Sequence, residues 1–487
     1  MKLNVLTGTV PGKVRIIGDQ NTEINNICID SRKVQKGDLF ICTPGLRMDA
    51  HKFAPQAVES GAAALLVDHE LDLDVPQVVV EDVRLAISYV AAQFHGNPAD
   101  KMHLIGITGT KGKTTTSFLI KSILEEAGKK VGLIGTVCSM IGDETIPAKL
   151  TTPDPVDTQA MLARMADAGV EYVIMEVSAH ALALDRLAGI KFEVGAFSNF
   201  SQDHLDFFDS MDSYFDCKMR FFDACMTDKL VYNLDDDRVG KGMTRLGREA
   251  LRVGIREGSD VYANDIEISE CGTNFLMTWH KHFRVSVALK LAGIFNVYNA
   301  LLAAGICIQL GITEEEIRRG LEDVRAVPGR IELLETGTPY RVILDYAHSP
   351  DSLENILKAV RQTCKGRMIA LFGCGGNRDS AKRPMMGEIA GELSDYCILT
   401  SDNPRSEEPM DILHDIEEGI RGTECEYVVI ENRREAIKYA LQFAKPSDVV
   451  VLAGKGHETY QEIKGVRYPF NEKIVVAELL KEIREGC

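Results

Sequence analysis

The sequence predicts an α/β protein of three domains, and three observations carry that reading. Short apolar runs alternate with helix-like stretches along the chain, the pattern of strands covered by helices. A length of 487 residues exceeds what one hydrophobic core supports and fits about three domains of ordinary size. Residues 103–127 pass from an apolar strand through a glycine-rich loop into a helix. The expected class is a small N-terminal α/β domain (1–100), a central P-loop-type, mostly parallel sheet with helices on both faces (101–328), and a C-terminal Rossmann-like α/β domain (329–487).

In the first domain the apolar runs Gly37–Ile41 and Ala63–Val67 read as strands, and Phe53–Glu59 as a helix between them. The turn Phe94-His95-Gly96-Asn97-Pro98 ends it, and a new strand–helix register begins at His103. The central domain then offers strands at Val131–Gly135, Tyr172–Glu176, Gly195–Asn199 and Leu230–Asn233, with an amphipathic helix at Met211–Phe222. Its longest apolar stretch, Ala300–Ile312, is interrupted by Gly305 and Gln309 and is too short to span a bilayer, so it reads as a buried helix. Pro328-Gly329 punctuates the end of this domain. A third alternation follows, with strands Arg341–Asp345, Met368–Phe372, Cys397–Thr400 and Val449–Leu452, as in a dinucleotide fold without its glycine fingerprint.

Composition narrows the function classes. A net charge of −17 opposes a nucleic-acid surface, which needs basic patches, and leaves anionic substrates to local cationic pockets. The 12 cysteines are scattered with no Cys-x-x-Cys pair, so reduced thiols and a cytoplasmic setting are expected over a disulfide or zinc scaffold. Met1–Arg15 lacks a basic segment followed by an apolar run, so no targeting leader or membrane insertion is expected.

The chemistry concentrates in Gly109-Thr110-Lys111-Gly112-Lys113-Thr114-Thr115. Gly109 and Gly112 let backbone N–H groups turn toward an anion, Lys113 supplies a point charge for the outer phosphates, and the Thr114 or Thr115 hydroxyl can reach Mg2+. The helix that follows places its positive end at the same spot. The loop is tighter than the standard motif, which has a glycine where this chain has Ile107.

Acidic and basic residues fall at the ends of the later strands, where open α/β sheets bind ligands. The run Tyr172–Met175 delivers Glu176, a Mg2+ candidate, and a second strand leads through Asn199 to Asp203-His204-Leu205-Asp206, where His204 can join carboxylates around a cation. By pattern alone Lys218 is a solvated helix lysine. In the third domain Phe372–Asp379, Thr400–Arg405 and Gly454–Glu458 each follow an apolar strand and should gather at one edge. Arg378 and Arg405 offer bidentate donors to a carboxylate, while Asp402 and Glu458 accept from an amine, which suits the two ends of an amino acid.

These motifs, in this order, resemble the Mur ligases of bacterial peptidoglycan synthesis over essentially the whole chain. The resemblance rests on Gly109–Thr115, Thr151-Thr152-Pro153, Glu176–His180, Asn199–Asp206, Tyr214–Lys218, Phe295–Asn299, Gly329-Arg330, Asp345–His348 and Gly454–Glu458. It implies an ATP-dependent amide ligase that binds a UDP sugar in the first domain, ATP in the second and an amino acid in the third. On that footing Ser31, Leu46, Arg47 and Met48 contact the uridine nucleotide, and Thr151, Thr152, Ser178, Leu184 and Arg186 hold the muramoyl dipeptide. Thr114, Glu176, His204 and a carbamylated Lys218 hold Mg2+, and Asn296, Arg330 and Asp345 approach the ATP. Position 179 is alanine where relatives often carry serine, and position 184 is leucine where some use glutamine.

The tetrad Asp402-Asn403-Pro404-Arg405 implies the branch that adds meso-diaminopimelate to UDP-N-acetylmuramoyl-L-alanyl-D-glutamate. Diaminopimelate is lysine with a further distal carboxylate, which a guanidinium binds through paired charge-assisted hydrogen bonds. Arg378, Gly454 and Glu458 complete the expected amino-acid site. The alternatives are a lysine-adding ligase, a folylpolyglutamate synthetase on the same core, or a nucleotide-switched binding protein. A monomer is the expected state.

Overall fold

The structure, a computed structural model, describes residues 1–44, 49–270, 272–280 and 282–485. They form two compact units, one of residues 1–108, 128–196 and 216–230 and one of 109–127, 197–215 and 231 onward.

In the first unit a five-stranded sheet has the order Val14–Ile17, Gln77–Val80, Ala64–Val67, Asp38–Ile41, Asn26–Cys28. Its pairings are parallel except that of Val14–Ile17, which runs antiparallel to Gln77–Val80. Successive side chains of the central strands point to opposite faces, and both faces are covered. Leu39, Ile41, Leu66 and Val78 pack with Ala86 and Val90 of the helix Val83–Phe94. Phe40, Leu65 and Val67 pack with Ala54 and Ala57 of the helix Ala54–Glu59. Asp82 caps the longer helix by accepting from the amides of Arg84 and Leu85 at 2.8 and 3.1 Å, which satisfies two first-turn donors.

The same unit holds the strand Phe192–Phe197 up to Ala196, then His103–Thr108, Tyr172–Glu176, Val131–Ile134, Cys138–Ile141 and Glu144–Pro147, in that order. Tyr172–Glu176 runs parallel to both of its neighbours, and the last two strands return antiparallel. The predicted strand Gly195–Asn199 begins earlier, at Phe192, and ends at Phe197. Ser198 and Asn199 are therefore loop residues.

In the second unit Val231–Asn233 pairs with Leu251–Val253 in parallel, and Val253–Gly254 with Val261–Tyr262. Val261–Ser269, Gly272–Trp279 and Phe283–Leu289 then form an antiparallel meander. The sequence reading expected strand–helix alternation here; period-two burial along Phe283–Leu289 shows why short connections suffice. The apolar stretch read as a buried helix belongs to Ile294–Gln309, whose Val297 and Ala300–Ile308 are buried. Gly305, which looked like an interruption, is a packing requirement. A Cβ there would lie 2.8 Å from Val253 Cγ1 and 3.0 Å from Val231 Cγ1, so only glycine lets the helix close onto those strands.

A third sheet has the order Glu332–Leu334, Arg341–Asp345, Val449–Ala453, Met368–Phe372, Tyr396–Leu399, Glu426–Val429. All its pairings are parallel except that of the first strand. Leu353, Ile356, Met386, Leu413 and Ile416 cover one face, and Ala436, Ile437, Val476 and Leu479 the other. Full burial of each large aliphatic side chain contributes about 1.5–3 kcal/mol, which makes these two layers the main stabilising feature of the region. Among the described residues no helix is long and apolar enough to cross a membrane.

Candidate functional site

The glycine-rich loop lies between the strand His103–Thr108 and the helix Lys113–Glu126. Gly109 has φ +140°, and a Cβ on it would come within 2.0 Å of Ser198 Oγ. Gly112 has φ +84° and would meet Asn299 Oδ1 at 2.4 Å. Both positions exclude a side chain by backbone conformation and by space. Asn199 holds the loop's shape: its carbonyl accepts from the Thr110 amide at 2.9 Å and its Oδ1 from the Lys111 amide at 2.9 Å. Its Nδ2 and Ser198 Oγ donate to the Lys111 carbonyl at 3.1 and 2.6 Å. Lys113 Nζ folds over the loop and donates to the carbonyls of Gly109 and Thr110 at 2.8 and 3.0 Å. Thr114 and Thr115 are buried in the helix's first turn.

Several expected residues converge on this loop within the second unit. Asn296 accepts from Asn299 Nδ2 at 3.1 Å, and Arg330 donates to Thr114 Oγ1 at 3.5 Å. The Arg330 guanidinium stacks 4.9 Å from the centre of the Tyr346 ring, and the His457 ring lies 4.7 Å from the same ring. Arg330 Nε and His457 Nδ1 are buried polar atoms without a hydrogen-bond partner among the described residues. Asp345 accepts from the amides of Ile331 and Ala347, each at 2.8 Å, and burial raises its pKa against the pull of Arg330. Lys111 Nζ stands 3.1 Å from Asp203. Burial alone would raise the Asp203 carboxyl, but Lys111, His204 and His348 together hold it far below the usual range. His204 itself has a left-handed φ of +56° and an amide that donates to Asp203 Oδ1 at 3.0 Å. Burial, then Lys111 and Lys382, pulls His348 down to about 3, which keeps it neutral.

The first unit groups a second set around the end of Tyr172–Glu176. Glu176 is 1% exposed and accepts from the Thr136 amide at 3.0 Å and its hydroxyl at 2.8 Å. The Thr152 hydroxyl donates to the Glu176 carbonyl at 2.7 Å and accepts from the Ser178 amide at 3.0 Å. Thr151 Oγ1 lies 3.1 Å from Thr136 Oγ1. Arg186 donates to the Thr152 carbonyl at 3.0 Å and pairs with Asp154 at 3.1 Å. Leu184 follows the short helix Ala179–Ala183, which Ser178 caps. Lys218 is 1% exposed, which overturns its reading from pattern as a solvated helix residue. Ser31 opens a short 3-10 turn capped by Asp30, and its hydroxyl lies 3.5 Å from Gln56 Oε1. Leu46, Arg47 and Met48 lie outside the described residues.

The three loops of the C-terminal sheet come together as the sequence implied. The Gly376 amide donates to the Asn403 carbonyl at 2.9 Å, and Asn403 Nδ2 to Glu458 Oε2 at 2.8 Å. Arg405 has a left-handed φ of +53° and donates to the Gly376 carbonyl at 2.7 Å. Asp402 and Pro404 are buried beside it. The Gly454 amide donates to the Asp345 carbonyl at 3.1 Å, and Arg378 lies 3.6 Å from Asp206. Sequence reasoning gave no role to two residues that hold this edge. Lys455, fully buried, donates to Glu458 at 2.8 Å and Asn403 at 3.2 Å. Arg433, 1% exposed, pairs with Glu472 at 2.7 Å and donates to the Ala453 carbonyl at 2.8 Å. A lysine between two glycines at a strand end was a usable signal for the first; nothing local distinguishes the second from a surface helix arginine.

A strand, a glycine-turned loop with lysine at its mouth, and a following helix define a P-loop-type α/β protein with a separate Rossmann-like sheet. Models of the Mur ligase family match nearly all of this framework: the family catalytic domain at 23–99, the middle domain at 107–307 and the glutamate ligase domain at 329–456. Two curated relatives are named UDP-N-acetylmuramoyl-L-alanyl-D-glutamate–2,6-diaminopimelate ligase. The one from Caldanaerobacter subterraneus subsp. tengcongensis is 44% identical over 96% of this chain and 97% of its own length. The one from Clostridium acetobutylicum, numbered 1 in its organism, is 44% identical over 99% of this chain and 100% of its own. A solved structure of a ligase of the same name is 30% identical with a TM-score of 0.70, covering 99% of each chain. The chain belongs to the Mur ligase family, and its three-domain α/β fold is that of the family.

Proposed function

We propose that this chain is an ATP-dependent ligase that joins meso-2,6-diaminopimelate to the D-glutamyl γ-carboxylate of UDP-N-acetylmuramoyl-L-alanyl-D-glutamate, releasing ADP and phosphate. The observation that carries the reading is 44% identity, over 96% of the chain, to a relative named for that ligation. The domains are 1–100 for the UDP sugar, 101–328 for ATP and 329–487 for the amino acid, a division that the three family matches support. Cytoplasmic residence and a monomeric state complete the proposal.

A carboxylate does not react usefully with an amine, because oxide is too poor a leaving group. Transfer of the γ-phosphoryl of ATP to the glutamyl carboxylate forms an acyl phosphate; the amine then attacks its carbonyl and phosphate leaves. Gly109–Thr115 bind the phosphates, with Lys113 offsetting negative charge where two anions meet. The Arg330 guanidinium, which reaches Thr114 Oγ1 and whose Nε has no hydrogen-bond partner among the described residues, supports Arg330, Asn296 and Asp345 as nucleotide contacts. Thr114, Glu176, His204 and Lys218 as N6-carboxylysine would hold Mg2+, an oxygen-rich set suited to a hard cation. Bound there, Mg2+ would supply charge neutralisation during phosphoryl transfer. Ser31, Leu46, Arg47, Met48, Thr151, Thr152, Ser178, Leu184 and Arg186 hold the UDP-muramoyl dipeptide. Arg378, Asp402, Asn403, Pro404, Arg405, Gly454 and Glu458 receive diaminopimelate, with Arg405 on its distal carboxylate.

The test supplies ATP, Mg2+ and the UDP-muramoyl dipeptide with diaminopimelate or lysine and identifies the product by mass. ADP release that does not depend on diaminopimelate, or a lysine adduct as the main product, rejects the assignment. Lys218→Ala is expected to be inactive and partly rescued by a small added carboxylate.

A further inference from the structure

Away from every residue used so far, two histidines and two aspartates meet at the carboxyl ends of neighbouring parallel strands in the N-terminal sheet. His51 lies in the 3-10 turn Ala50–Phe53 that follows Asp38–Ile41, and Asp68-His69 directly follows Ala64–Val67. The His51 ring is 7% exposed and stacks on His69 with centroids 4.8 Å apart and planes inclined by 26°. Its Nδ1 lies 2.6 Å from Asp49 Oδ1 and its Nε2 lies 3.2 Å from Asp68 Oδ1. His69 Nδ1 contacts that same Asp68 oxygen. The coordinating atoms of His51, Asp68 and His69 all lie within 4.8 Å of one another.

Proton placement makes this cluster specific. In the neutral tautomer with its proton on Nδ1, His51 donates to Asp49, and the Asp68 amide donates toward Nε2 at 3.4 Å. Nε2 then presents a lone pair to a carboxylate oxygen 3.2 Å away, two acceptors face to face. His69 Nδ1 hydrogen-bonds to the same oxygen, a contact that a bound metal would replace. A cation bound between Nε2 and Oδ1 removes this repulsion. Ligands about 2.0–2.1 Å from a tetrahedral zinc stand roughly 3.3 Å apart, close to the spacing between His51 Nε2 and Asp68 Oδ1. Asp49 supplies the outer carboxylate that orients a metal-binding imidazole and raises its basicity.

We propose that His51 Nε2, His69 Nδ1 and Asp68 Oδ1 form a binding site for a borderline divalent metal of the Zn2+ class, oriented by Asp49 and separate from the Mg2+ ligands proposed above. Imidazole ligands favour this class over Mg2+. Bound metal ties the turn at Asp49–Phe53 to the end of Ala64–Val67. To test it, the full-length protein is stripped with chelator, dialysed against Zn2+ in excess Mg2+, and its metal content measured beside His69→Ala and Asp49→Asn. His69 is exposed, so its replacement leaves the fold in place, which melting without metal verifies. Wild type should retain one more equivalent of Zn2+ than His69→Ala, and Asp49→Asn should bind about 10–100-fold more weakly. Zn2+ should raise the melting temperature of wild type more than that of His69→Ala. Equal metal content in wild type and His69→Ala, with equal melting shifts, overturns the site and leaves His51 hydrogen-bonded between Asp49 and Asp68 in its place.

Discussion

At Gly109–Thr115 a binding surface is made almost entirely of backbone: two glycines in left-handed conformation, a carbonyl clamp from Asn199 and one lysine from the next turn. At the edge of the C-terminal sheet the surface is made of side chains from three segments far apart in sequence, held by the buried cations Lys455 and Arg433. Backbone surfaces suit phosphates, whose oxygens accept from any N–H, and they are encoded within a few consecutive residues. Side-chain surfaces suit discrimination between amino acids, because each charge can be matched or left unmatched.

The sharpest way to break this contrast is to remove a charge from each side. Lys455→Met leaves Glu458 beside an apolar neighbour, and breaking such a buried pair costs about 3–5 kcal/mol. Thermal melting should show that loss, and adding Glu458→Gln should recover part of it; a Lys455→Met protein as stable as wild type refutes the bracing role. Lys113→Ala gives up the donations to the Gly109 and Thr110 carbonyls, and it should melt near wild type while kcat falls by about 10²–10³ or more. A coupled ADP-release assay decides between this and a merely structural lysine.

A smaller effect sharpens the specificity half of the contrast. Arg405→Ala should reduce the preference for diaminopimelate over lysine by roughly tenfold to several hundredfold, since an unpaired donor costs about 1–3 kcal/mol. Competition between the two amino acids measures the ratio directly, and an unchanged ratio removes the guanidinium from the recognition of the distal carboxylate.

The smallest effect concerns pH. His348 has a pKa of about 3 when folded, mainly through burial, against 6.5 for an ordinary histidine. Between those values the unfolded chain binds the extra proton, so stability is lost as pH falls from about 6.5 toward 3, by about 2 kcal/mol at pH 5. His457, lowered by burial to about 4, acts in the same direction. His348→Gln should therefore flatten the fall of melting temperature between neutral pH and pH 5. A curve parallel to wild type would mean that His348 is protonated in the folded state.

The legibility of the chain follows the range of the forces involved. Arg341–Asp345 and Met368–Phe372 have the bounds that their apolar runs predict, because a strand buried on both faces needs a continuous apolar segment. The meander over Val261–Leu289 went unread, because an antiparallel sheet with one polar face mixes charged and apolar residues at single-residue spacing. Glu176 was legible as an acid at a strand end, yet its partner Thr136 was not, since 40 residues separate them. Lys218 was legible only through resemblance; the pattern of its helix pointed to solvent, and the structure buries it.

By itself the sequence determined the alternation of strands and helices, the phosphate loop and the positions of the three third-domain loops. Each depends on φ/ψ preferences and hydrophobic periodicity within about ten residues. Only the tertiary structure decided which distant groups meet: Asn199 on the Lys111 carbonyl, Lys455 between Asn403 and Glu458, and His51 against Asp68 and His69. Hydrogen bonds and ion pairs act over a few ångströms and carry no signature in chain separation, so their partners emerge only once the sheets have closed and brought the strand ends side by side.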